Sequence, residues 1–113
     1  MIKKEDIQDT LMLMGITPNY KGFSYIVEGV LYIDAHQGTY NIGDLYDTVA
    51  QECRTSYACV ERSIRYALQC ARQQPPASER VERYIGLEHA SNSRSLSRFH
   101  LMLAREDGKG ESR

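Results

Sequence analysis

Arg62 and Arg65 stand three positions apart in the stretch TSYACVERSIRYALQCAR (residues 55–72), with Glu61 beside them and Ala58 one turn earlier. On a helix of 100° per residue, Ala58, Arg62, Arg65 and Gln69 share one side, with Glu61 and Tyr66 on its flanks. Val60, Ile64, Ala67, Leu68 and Ala71 occupy the opposite side. The outer face can therefore meet the edges of nucleic-acid bases. A guanidinium donates two bonds to guanine O6 and N7, a carboxylate accepts from cytosine N4, and a small side chain leaves room for a thymine methyl. Glu61 would be repelled by phosphates, so a purely non-specific phosphate binder has no use for it. Thr55, Ser56 and Tyr57 supply hydroxyls, Arg54 a charge, and the helix start free N–H groups, all suited to backbone phosphates. The same face is also what a solvated helix carries, with Glu61 and Arg65 pairing at i, i+4 for about 0.2–0.5 kcal/mol. The residues of this face alone leave both readings open.

The elements that must position this face are all helical. Ile7, Leu11 and Met14 fall at helical spacing behind Glu5 and Asp6, giving a short first helix closed by Gly15 with Pro18 beyond. Phe23, Ile26, Val27, Val30 and Leu31 give a second helix near 20–36, weakened by Gly22 and Gly29. A loop follows at 36–39. Asn41 caps a third helix with Asp44 in its first turn and a core face of Ile42, Leu45, Tyr46, Val49, Ala50 and Cys53. The fourth helix, 56–72, ends at Gln74-Pro75-Pro76, since proline cannot continue a helix interior. A short fifth helix is expected over 78–85, stopped near Gly86. A sixth carries Leu96, Phe99, His100 and Leu103 and is started by one of Ser91, Asn92 or Ser93. The sequence shows no strand alternation and no repeat. The expected class is all-α, a bundle of about six helices over 1–105, with 106–113 as a disordered tail.

Only about three residues separate the third and fourth helices, the spacing of a helix-turn-helix, which plain packing hairpins of two helices share. Ala50 is small enough for the two helices to cross closely, and Val60 and Ile64 fill the packing side. The turn position often taken by glycine for its easy positive φ is held by Arg54. Lys21, Asn92 and Arg94 are further phosphate candidates.

Composition bounds the rest. At 113 residues the chain has room for one domain, and no apolar run reaches the ~18 residues of a membrane span. The start, MIKKEDIQDT, lacks a signal peptide's apolar stretch, so a cytoplasmic protein with no membrane partner is expected. Net charge is −1, but residues 1–53 hold three lysines against eight acids and residues 54–113 hold eleven basic residues against seven acids. A basic second half suits a polyanionic partner. Cys53, Cys59 and Cys70 show no CxxC spacing and read as reduced, mostly buried thiols. His36, His89 and His100 lie far apart, and His100 reads as a satisfied packing histidine. No phosphate loop, nucleophile motif or zinc pattern is present. No enzyme, metal or cofactor is expected.

Three stretches carry a family resemblance. IQDTLMLMGITPNYKGFSYIVEGV contains a G-[IV]-x-x-x-x-KG-[FY] core, VERSIRYALQCA follows in the fourth helix, and SNSRSLSRFHLMLAR lies near the end. Together they resemble the C-terminal DNA-binding effector domain of the stage-zero sporulation protein A, the sporulation response regulator of endospore-forming Firmicutes. The similarity spans roughly 7–105 and is loose across 73–91. It implies a six-helix domain whose third and fourth helices bind DNA, reading short G·C-containing promoter boxes to activate or repress transcription. By position, Glu61, Arg62 and Arg65 match the DNA-facing side of the family's recognition helix, and Ile64 and Ala67 its packing side. Cys59 stands where the family usually has arginine, and Tyr57 replaces a small residue, so the box read can differ. The family's phosphorylated receiver domain has no room in these 113 residues, so an effector fragment or a stand-alone relative is expected. Expected partners are double-stranded DNA at promoter boxes, a second copy as a homodimer on DNA, and RNA polymerase. The rival reading is a protein–protein interaction module that keeps the fold and modulates a full-length regulator without binding DNA.

Overall fold

Helix caps set the outline of the molecule before any packing is considered. The computed structural model describes residues 1–74 and 78–111, with six helices and no strand among them. They are α1 (Lys4–Leu13), α2 (Lys21–Ala35), α3 (Ile42–Glu52), α4 (Tyr57–Gln73), α5 (Glu79–Tyr84) and α6 (Asn92–Glu111). Asn41, Ser56 and Ser78 cap α3, α4 and α5, their side-chain oxygens accepting from the N–H groups of Asp44, Cys59 and Val81. Ser91 does the same for α6, its Oγ accepting from Arg94 N–H at 3.2 Å. Gly15, at φ +88°, closes α1, with Ile16 N–H donating back to Leu11 O at 2.9 Å.

The central element is α2, which packs against α1, α3, α4 and α6. Ile26, Val27, Val30 and Ile33 are fully buried along it, among Ile7, Leu11, Leu45, Ile64, Leu68, Leu96 and Phe99 from its neighbours. Gly22 and Gly29 do more than weaken the helix. A Cβ on Gly22 would sit 2.4 Å from the Ser63 carbonyl oxygen, so α2 and α4 cross with backbone nearly touching backbone.

Two expectations change. Helix α6 continues to Glu111, past the boundary expected near 105. Its last turns are tied down: Glu106 accepts from Tyr84 Oη at 2.6 Å and pairs with Arg83, and Asp107 pairs with the N-terminal amine. Composition misses such ties because they join distant segments. The three cysteines are free but half-buried rather than mostly buried. The proline pair expected to end α4 lies outside the described residues. His100 is satisfied as expected, its Nε2 lying 3.1 Å from Asp34 Oδ1.

Candidate nucleic-acid interface

The join between α3 and α4 fixes how α4 is presented. Arg54 takes φ +56°, the left-handed conformation that glycine adopts more easily. Thr55 N–H donates to Ala50 O at 2.9 Å, and Arg54 N–H to Gln51 O at 3.4 Å, so the last carbonyls of α3 are satisfied by the turn itself. Four residues, 53–56, thus link the two helices. Ala50 and Val49 are buried at the crossing with Val60 and Ile64.

The inner stripe of α4 is the one the wheel assigns: Val60, Ile64, Ala67, Leu68 and Ala71 are all buried. Ala58, Arg62, Arg65 and Tyr66 are exposed, and Glu61 is half-buried. No segment among the described residues covers this outer side. Arg65 pairs with Glu61 at 3.3 Å, while Arg62 forms no ion pair among the described residues. The Glu61–Arg65 pair is an i, i+4 pair open to solvent on its Arg65 side, and such pairs are worth about 0.3–0.5 kcal/mol, small enough to open when a better partner arrives.

Tyr57 does not stand upright from the helix start. Its ring packs edge-on against the buried Tyr46, with centroids 5.1 Å apart and planes at 81°. This lays it back toward the start of α3, with Gly43 beneath its hydroxyl. Arg54 and Ser56 are exposed beside it, and Thr55 is half-buried. Ser56 Oγ is already engaged as the cap, accepting from Cys59 N–H at 3.1 Å. Cys59 turns toward α2, its Sγ 3.9 Å from Tyr25 Oη and 3.8 Å from Ser63 Oγ. The hydroxyls of Thr55, Ser63 and Tyr25 hold its thiol below the ordinary range.

Both flanks of α4 are built by other elements. On one side Lys21 and Arg62 line a common cleft. On the other, Glu61 and Arg65 line a smaller cleft with Ser91, Asn92 and Ser93. Arg94 is exposed on α6, outside both clefts. Asn92 corrects the sequence reading. It is buried, and its Nδ2 donates to Tyr46 Oη and to the Glu61 carbonyl, both at 3.0 Å. Its amide is a strut from α6 to α3 and α4, and is not free for a phosphate.

Arg72, which sequence reasoning passed over, is a second strut. Its guanidinium donates to Gly86 O at 2.9 Å and to Ile85 O and Ser95 Oγ at 2.8 Å. Burial, with no carboxylate among these partners, lowers its pKa. The signal available was its position: a basic residue in the last turn of α4, next to the buried Ala71. The acceptors lie just past α5 and on α6, and no periodicity shows that these meet the end of α4.

The described residues thus form an all-helical domain in which a capped, two-faced helix follows a tight turn. Residues 7–106 match the family described as sporulation initiation factor Spo0A C terminal, and the chain belongs to that family of DNA-binding effector domains. No curated protein and no solved structure gives a significant match. Among the described residues, no helix is long and apolar enough to cross a membrane.

Proposed function

We propose that this chain is a sequence-specific DNA-binding transcriptional regulator in which α3 and α4 act as a helix-turn-helix and α4 enters the major groove. The observation that carries the reading is the outer face of α4, where Arg62 forms no ion pair among the described residues and Arg65 is exposed above a fully buried apolar stripe. In this reading Arg62 and Arg65 donate to guanine edges. Glu61, released from Arg65, accepts from cytosine, and Ala58 leaves room for a thymine methyl. Arg54, Thr55, Ser56 and Tyr57 meet phosphates at the helix start, with Lys21 and Arg94 as outlying contacts. Tyr57, lying back on Tyr46, leaves the approach to the groove open. Family membership supports DNA binding. The base-reading roles rest on the geometry of α4.

A paired site would seat two copies, and a promoter-bound regulator acts on RNA polymerase in the cytoplasm. The test is selection from random duplexes with the native chain and with an Arg62→Ala/Arg65→Ala double variant. A defined box should emerge for the first and not for the second. Arg62→Ala alone should cost about 1–3 kcal/mol on that box and relax preference at one position. A uniform loss across all sequences would refute base reading. No duplex binding at low salt, where phosphate contacts are strongest, together with co-purification of a full-length regulator, would favour the interaction-module reading instead.

A further inference from the structure

A cleft beside α4 lies between the α1–α2 turn and the middle of α4. It holds about 790 Å³, within the usual range of ligand sites. Its charge sets it apart. Lys21 and Arg62 both line it, neither forms an ion pair among the described residues, and no carboxylate shares the lining. Three other clefts contain acids: Asp6, Asp9, Glu106 and Asp107 at the chain start, Glu82 and Glu88 between α5 and α6, and Glu61 on the far flank of α4. Around the two cations stand neutral hydrogen-bonding groups, the Asn19 amide and the Ser63 hydroxyl. One wall is aromatic: Tyr20 and Tyr66 have ring centroids 6.1 Å apart at 45°, and Tyr66 is 62% exposed. Two unpaired cations from different helices, with neutral donors and no acid, suit a doubly charged oxyanion.

We propose that this cleft is a phosphate site, with Lys21 and Arg62 as its counter-charges. The phosphate is carried either by the duplex backbone, which Lys21 then meets while Arg62 stays with the bases, or by a small phosphate ester, which takes both cations. Arg62 belongs to both this cleft and the outer face of α4, so a free ester seated here competes with duplex for that guanidinium. The competition and the duplex source rest on the DNA-binding reading above. The cleft's affinity for phosphate does not.

The test uses the full chain without DNA, titrated with inorganic phosphate and then adenosine monophosphate, against sodium chloride at matched ionic strength. The readout is the backbone amide NMR signals of Lys21, Gly22 and Ser63. Phosphate-specific, saturating shifts in the native chain that are several-fold weaker in Lys21→Ala and Lys21→Gln are expected if free phosphate enters. Tighter binding of adenosine monophosphate than of phosphate assigns the site to small esters through the Tyr66 wall. In parallel, the salt dependence of duplex binding is compared for Lys21→Ala and Lys3→Ala, the latter an exposed lysine on the far cleft. A slope reduced by about one in Lys21→Ala only assigns the site to the duplex backbone. No phosphate-specific shift, together with equal slopes in the two variants, overturns the proposal. A chain that binds no duplex at all refutes the DNA-binding reading and leaves the phosphate titration to decide the cleft.

Discussion

Arg54 sets the backbone cost of a turn against the phosphate contact proposed for its side chain. Its φ of +56° places an L side chain in the left-handed region, at a cost of roughly 1–2 kcal/mol. Glycine would avoid that cost but loses more entropy on folding, by roughly 0.5–1 kcal/mol. Arg54→Gly should therefore stabilise the domain by up to about 1 kcal/mol in urea unfolding. It should also weaken duplex binding uniformly across sequences, because a phosphate contact carries no base preference. A specificity change without an affinity change would contradict the role given to Arg54. The left-handed turn at 54 was legible from the spacing of the two helices. The inward turn of Asn92 was not, because its partners, Tyr46 and the Glu61 carbonyl, lie on two distant helices. A helix-start asparagine reads the same in sequence whether it faces water or a neighbour.

Among the elements, the crossing of α2 on α4 sets the pose of the candidate interface. Gly22→Ala would drive a methyl into the Ser63 carbonyl at 2.4 Å. Such overpacking usually costs about 1–3 kcal/mol, and the loss should appear in the urea midpoint together with weaker duplex binding, since α4 itself is displaced. Gly29→Ala is the matched control. Its Cβ would meet Leu45 Cδ2 at 3.4 Å, so a gain in helix propensity of up to about 1 kcal/mol should leave it neutral or stabilised. Equal losses from both substitutions would show that the crossing is more yielding than this geometry requires. Periodicity located every helix here, because each has one apolar stripe and most have a capping residue at the start. It gave Gly22 the wrong meaning: a glycine inside a helix looks like a weakness until the partner backbone is known to be there.

At the scale of the whole molecule, Asp34 joins the chain start, α2 and α6. Burial works against its charge, but the Ile2 N–H at 3.0 Å and the His100 imidazole outweigh it, so its carboxyl titrates below the ordinary 3.8. A carboxyl depressed in the folded state stabilises fully above its unfolded pKa, and that share is lost as pH falls through the lower folded value. Unfolding midpoints measured from pH 7 down to pH 2 should therefore fall less steeply at the acid end for Asp34→Asn, which is already weaker at pH 7. Parallel acid limbs in both proteins would show that Asp34 does not set the acid stability. His100 was legible as a satisfied histidine. The clamp it belongs to was not, since residues 2, 34 and 100 come together only when the bundle closes.

Arg72 grips three oxygen atoms from two separate stretches, and all three sit behind the helix whose far side would touch a duplex. A flat, forked head can reach such acceptors at once, whereas an ammonium offers a single point. Exchanging it for lysine would keep the charge and still loosen the rear mounting, so that the reading helix would rock on its support. A change that looks mild in an alignment of letters would then surface as blurred sequence discrimination, far from any atom of DNA.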